Sequence, residues 1–190
     1  ADLALIRDAA RKGGEIAMSY FQKNPETWMK AGESPVSAAD IAVDTYLRET
    51  LGGARPDYGW LSEETLDNPA RLTSRRTFVV DPIDGTRAFI AGKATWCISI
   101  AVVEDGRSLV GVLDCPALGE LYEAMLMGPA LCNGAPIHVS VGVGAGGMVI
   151  GGPKPMLDQL PAHMRGGPTV SYVPSLAYRI AMVAKGDMDA

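Results

Sequence analysis

Six consecutive residues, Asp81-Pro82-Ile83-Asp84-Gly85-Thr86, set two carboxylates, a glycine and a hydroxyl in a pattern that suits metal-assisted chemistry. The run Thr77-Phe78-Val79-Val80 before them favours a strand and Arg87-Ala88-Phe89-Ile90 after them a helix start, so the hexapeptide is expected to be a strand-to-helix loop. Pro82 is expected to stop the strand by removing a backbone donor, and Gly85 to permit a tight turn. Asp84 and Thr86 both suit the N-cap region of the following helix, where free N–H groups and the positive end of the dipole favour an anion. Two hard oxygen ligands beside an anion cradle match Mg²⁺, which prefers a few carboxylates plus waters and substrate phosphate oxygens. Asp, Pro, Gly and Thr are also ordinary turn residues, and a purely structural loop is the competing reading. The carboxylates of Ser62-Glu63-Glu64 upstream weigh against it.

The elements that must position these residues follow from periodicity. Leu3, Ile6, Ala10, Gly13, Ala17, Tyr20 and Phe21 recur at helical spacing, so 2–22 reads as an amphipathic helix ended by Asn24-Pro25. The segment to Pro35 reads as polar and irregular. Ser37 with Asp40 three residues on gives a capping box for a second helix, with Ile41, Tyr46, Leu47 and Leu51 inward and Gly52-Gly53 as its stop. Tyr58 to Ser62 reads as extended and delivers Glu63 and Glu64. After a polar loop over 67–76 and the Thr77–Val80 strand, Trp96–Val103 and Leu109–Asp114 read as a hairpin about the turn Glu104-Asp105-Gly106-Arg107. Leu121–Met125 and Ile137–Val141 are further strands, the latter after the Asn133-Gly134 turn. The Gly-rich run Val141 to Gly147 lacks a P-loop Lys-Ser and reads as a linker. Met148-Val149-Ile150 opens a second unit, and Ser175 to Lys185 is its helix, with Leu176, Ile180 and Val183 on one face and Gly186 as cap. Successive antiparallel pairings with helices at the front of the chain predict an α+β layered domain.

Composition narrows the function. With 190 residues, 47% hydrophobic and 21% charged, the chain can bury a substantial core, and neither disorder nor a fibrous repeat is expected. No apolar run approaches the roughly 20 residues of a bilayer span. Asp2, Arg7, Asp8, Arg11, Lys12 and Glu15 interrupt any signal-peptide h-region, which makes a cytoplasmic location the expectation. Cys97, Cys115 and Cys132 fit reduced thiols, and His138 and His163 stand apart, which argues against a histidine-based site. A net charge of −5 without basic blocks argues against nucleic-acid binding.

Asp81 to Thr86, with Gly59-Trp60-Leu61-Ser62-Glu63-Glu64 and the Lys30-to-Asp40 segment upstream, resembles the inositol monophosphatase family of magnesium-dependent, lithium-sensitive phosphatases. The similarity continues in Gly119-Glu120-Leu121-Tyr122-Glu123-Ala124, in Cys132-Asn133-Gly134 and in Ala181 to Gly186. It implies a layered α-β-α-β-α sandwich of the sugar-phosphatase type, with 1–141 an N-terminal metal-binding domain and 148–190 part of a C-terminal α/β domain. It implies that Glu63, Asp81, the Ile83 carbonyl and Asp84 hold two or more Mg²⁺ ions, and that Gly85 and Thr86 offer backbone N–H groups to phosphate. The Thr86 hydroxyl with Glu63 would orient and deprotonate a water, supported by Glu64 and with Lys30 near the metals. Phosphate monoester hydrolysis needs an in-line water and charge neutralisation rather than a side-chain nucleophile.

The substrate expected from the resemblance is inositol monophosphate or a related small sugar phosphate. A 3′(2′),5′-bisphosphate nucleotide is the alternative, and a non-catalytic regulatory subunit is the alternative of another class. A homodimer without membrane or nucleic-acid partners is implied as well. Ser34 stands where inositol-type members often carry an acidic residue. Members also continue beyond the point equivalent to Ala190 to a Trp-Asp pair that supplies a further ligand. Residues 1–190 alone are therefore expected to be poorly active.

Overall fold

A computed structural model describes residues 1–30, 34–141, 147–161, 164, 167, 168 and 170–190. The Gly-rich link over 142–146 and His163 lie outside the described residues. Helix α1, Asp2–Tyr20, buries Ile6, Ala9, Ala10, Gly13, Gly14 and Ala17 on one stripe, as its periodicity predicts. The segment read as irregular instead holds two short antiparallel strands, β1 (Thr27–Met29) and β2 (Pro35–Ser37). Ser37 then caps α2, Ala38–Ala54, in the expected capping box with Asp40. Gly52 and Gly53 do not stop this helix, which runs on to Ala54; neither glycine has a positive φ, and Arg55 N–H still reaches the Leu51 carbonyl at 2.9 Å. The polar loop after Ser62 includes a 3-10 turn, Pro69–Thr73.

The main sheet follows as β3 (Gly59–Ser62), β4 (Arg76–Asp84), β5 (Cys97–Glu104), β6 (Arg107–Cys115), β7 (Glu120–Met125), β8 (Leu131–Cys132) and β9 (Ala135–Pro136), in that spatial order. β3 pairs parallel to β4, and every later pairing is antiparallel. The Asp105-Gly106 and Asn133-Gly134 turns have positive φ at both residues, the twist-matched hairpin geometry. Residues 137–141 form no strand, so the expected Ile137–Val141 strand reduces to the two-residue β9.

Side-chain alternation splits the sheet between two cores. Ile98, Ile100, Val102, Val112 and Leu121 face α1 and α2 with Phe78 and Trp96. Cys97, Cys115 and Tyr122 point the other way, onto α5 (Leu176–Lys185), through Tyr178 and Ala181. The predicted inner faces are partly corrected: Ile41 of α2 and Leu176 and Ile180 of α5 are exposed, because Val43, Tyr178 and Ala181 take the contacts instead. Two short helices, α3 (Thr86–Ile90) and α4 (Lys154–Leu157), precede α5 in the chain. Glu120 accepts from Tyr122 Oη at 2.8 Å, Tyr178 Oη at 3.1 Å and Lys185 Nζ at 2.7 Å, fastening α5 to β7 through its first turn and its last residue. No helix among the described residues is long and apolar enough to cross a membrane.

β6 carries a buried carboxylate of its own into this frame. Asp114 of β6 is 8% exposed and packs against Gly14, where a Cβ would stand 2.2 Å from Oδ2. Burial pushes it up to about 6, with Arg11 pulling down and Glu15 pushing up. The unfolded chain ionises near 3.8, so the folded state holds an extra proton between about pH 4 and pH 6 and loses stability as pH rises through that window. Asp114→Asn is expected to raise Tm at pH 7.5, by at most roughly 3 kcal/mol of stability, and to leave it unchanged at pH 4. A pH-independent effect in thermal melts would refute this assignment.

Candidate metal centre

β4 does not stop at Pro82. It runs to Asp84 with a register shift, Asp81 lying opposite Ser99 and Asp84 opposite Cys97, so Pro82 and Ile83 fall in the irregular stretch. A bulge is where a strand tolerates proline, since no ladder donor is required there. The bulge leaves both carboxylates at the end of a pinned strand. Gly85 follows with φ 95° as the N-cap of α3; a Cβ there would meet Ser175 Cβ at 3.0 Å and the Thr95 carbonyl oxygen at 3.1 Å. Phe89 fixes α3 by packing against Phe21 and Trp96, with ring centroids 5.5 and 4.9 Å away.

β3 brings Glu63 alongside. Glu63 N–H donates to the Val80 carbonyl at 3.3 Å, extending the parallel pairing by one bond. Asp44 of α2 accepts from Ser62 Oγ at 2.5 Å and Thr65 Oγ1 at 2.7 Å, which braces the backbone on either side of the two glutamates. Lys30 Nζ lies 2.5 Å from Glu64 Oε1 and 3.4 Å from Glu63 Oε1, with the Glu64 side chain buried and that of Glu63 half exposed. Burial opposes the lysine charge, but the two glutamates outweigh it and raise its pKa. Glu64 is pushed up by burial, with Lys30 pulling back. The 2.5 Å contact is a charge-assisted bond in which the buried carboxylate bears the desolvation cost.

Asp40 does more than cap α2. Its Oδ2 accepts from Ser37 N and Oγ, and its Oδ1 accepts from Thr86 Oγ1 at 3.0 Å. The Thr86 hydroxyl also lies 3.0 Å from the Ile83 carbonyl. Its one proton is thus directed to Asp40 or Ile83, and its lone pairs remain able to accept from a water. Asp81 sits deepest. Burial first, then the charges of Glu63 and Asp84 and a hydrogen-bond contact with Glu63, hold its carboxyl well above the usual range.

Asp84 is not turned to the N-terminus of α3. Its carboxylate reaches the N-terminus of α5 instead, accepting from Ser175 Oγ at 2.5 Å, Ala177 N at 2.7 Å and Leu176 N at 3.4 Å. A helix of three turns offers a better-formed set of free N–H groups than five-residue α3. In the sequence Ser175 reads only as a helix start and Asp40 as a cap, because their partners Asp84 and Thr86 lie far along the chain.

Among the described residues no three acidic, histidine or cysteine side chains already enclose a common point. Asp84 is drawn to α5, and Glu63 is held toward Lys30. The donor chemistry nonetheless fits Mg²⁺: Glu63, Asp81 and Asp84 are all hard oxygen donors, and a divalent cation would offset the burial and the neighbouring negative charges that push Asp81 up. A cleft of about 200 Å³ opens over Glu63 and Asp84, lined also by Ser34, Gly85, Thr86 and Tyr172. A larger apolar groove of about 520 Å³ runs over β5, β6 and β7 beside α5 and shares no lining residue with this cleft.

Comparison with known proteins bears on the whole of this arrangement. The chain is 36% identical over 140 residues to a histidinol-phosphatase of Chlorobaculum parvum, covering 73% of this chain and 53% of that protein. It is 39% identical over 127 residues to a 3′(2′),5′-bisphosphate nucleotidase of Salmonella typhimurium, covering 64% of this chain and 51% of the relative. An IMPase of Thermotoga maritima superposes with a TM-score of 0.88 at 26% identity, over 98% of this chain and 74% of that one. The chain thus spans about half the length of the curated relatives it matches. Residues 2–190 match the inositol monophosphatase family, and with the carboxylate-bearing end of β4, the Glu63 pairing and the shared fold in view, the chain belongs to that family.

Proposed function

We propose that the protein is a Mg²⁺-dependent phosphomonoesterase acting on a small phosphate ester. The observation that carries this reading is the convergence of Glu63, Asp81 and Asp84 at the paired ends of β3 and β4, an all-oxygen donor set. Mg²⁺ held by Glu63, Asp81, Asp84 and the Ile83 carbonyl would neutralise charge on the phosphoryl oxygens and lower the pKa of water. Glu63, half exposed and at the cleft, accepts a proton from an attacking water. Thr86 Oγ1 orients that water, since Asp40 and the Ile83 carbonyl fix its own proton. Gly85 and Thr86 N–H groups face the phosphate, and Lys30 offsets the charge of the two glutamates.

Inositol monophosphate or a related sugar phosphate is the substrate that the family reading supports. A bisphosphate nucleotide is the second reading, favoured by the 39% identity to the Salmonella nucleotidase, and the name of the Chlorobaculum relative adds histidinol phosphate to the panel. A homodimer is part of the proposal and rests on the resemblance alone.

The test is phosphate release from inositol 1-phosphate, histidinol phosphate and 3′-phosphoadenosine 5′-phosphate, for residues 1–190 and for the product of any coding region continuing past Ala190. Asp84→Asn keeps volume but removes a charged ligand, and activity is expected to fall by orders of magnitude while the fold survives without magnesium, its Tm lowered by the weakened bonds to α5. Near-normal turnover in this variant would sink the site assignment. Magnesium binding without turnover on any ester would favour the non-catalytic alternative. Lithium chloride is expected to inhibit more than potassium chloride at matched ionic strength, and equal responses to the two salts would reduce the effect to screening.

A further inference from the structure

The carboxylate of Asp84 is held from the far side of the chain. Ser175, about ninety residues later, is fully buried, and its Oγ lies 2.5 Å from Asp84 Oδ2. The same oxygen accepts the Tyr178 N–H at 3.0 Å as the N-cap of α5. That capping bond occupies a lone pair and leaves the hydroxyl proton to point at Asp84. Ala177 N–H adds a second short bond to Oδ2, at 2.7 Å, whereas Oδ1 has the longer 3.4 Å contact from Leu176. Gly85 makes the approach possible, because any Cβ there would press on Ser175 Cβ and Cα at 3.0 and 3.3 Å. Cys97 Sγ, 3.7 Å from Ser175 Oγ, closes the pocket from behind.

We infer that Ser175 is a positioning residue for the metal centre: it fixes the Asp84 side chain by Oδ2 and leaves Oδ1 as the oxygen presented to a cation. The metal centre is then shared between β4 and the capped end of α5. A carboxylate whose supporting donors are removed samples other rotamers, and loss of such a partner commonly lowers metal affinity 10- to 100-fold. The inference rests on Asp84 being a metal ligand.

The test is calorimetric titration with MgCl₂, run beside thermal melts in chelator. Ser175→Gly removes the hydroxyl while glycine is itself tolerated at an N-cap, and Ser175→Thr restores a hydroxyl. Ile180→Gly weakens α5 from its exposed face without touching Asp84. The expected result is a 10- to 100-fold loss of Mg²⁺ affinity in Ser175→Gly, recovery to within a few-fold in Ser175→Thr and little change in Ile180→Gly. Unchanged affinity in Ser175→Gly, with affinity lost in Asp84→Asn, overturns the inference and leaves the metal reading standing. An equal loss in Ile180→Gly overturns it too, since general loosening of α5 would then explain the effect. Unchanged affinity in Asp84→Asn removes the metal reading, and this inference with it.

Discussion

Repulsion between carboxylates is the constraint around which the functional end of this molecule is built. It arises from register. β3 and β4 are parallel, and Ser62 pairs with Val80, so their ends emerge together and set Glu63 beside Asp81. The bulge then adds Asp84 within the same few residues of β4. Each neighbouring element supplies something that offsets the charge: Lys30 an ammonium, Thr86 and Ser37 hydroxyls to Asp40, and α5 its free N–H groups to Asp84. What remains is concentrated on Asp81, which burial deprives of water.

The rigidity of the surroundings follows from the same need. A cluster of like charges spreads apart unless its backbone is held, and here Asp44 braces Ser62 and Thr65 while the Phe21, Phe89 and Trp96 rings hold the helix after Asp84. Aromatic packing and buried hydrogen bonds therefore work against electrostatic strain rather than merely filling space.

Much of this was legible in the residues. The α1 stripe, the Ser37–Asp40 cap and the two hairpin turns at Asp105-Gly106 and Asn133-Gly134 are local, with a signal confined to a few neighbours. The carboxylates were legible because strand, glycine and acidic residues fell in one hexapeptide. What failed was long-range. Pro82 reads as a strand end until the bulge that excuses its missing donor is known. Leu176 and Ile180 read as an inner face, yet the sheet is met by Tyr178 and Ala181. The link between Asp84 and Ser175 crosses ninety residues, and no periodicity encodes it.

The hydrogen bonds at Glu120 fasten α5 a second time, through Tyr178 in its first turn and Lys185 at its last residue. A ten-residue helix is about 15 Å long, and this one is tied at both ends to different strands of one sheet. Because one carboxylate of β7 takes the Tyr178 hydroxyl near the start of this rod and the Lys185 ammonium at its end, the seating of α5 on the sheet, and with it of the N–H groups that meet Asp84, depends on a side chain that does not line the cleft.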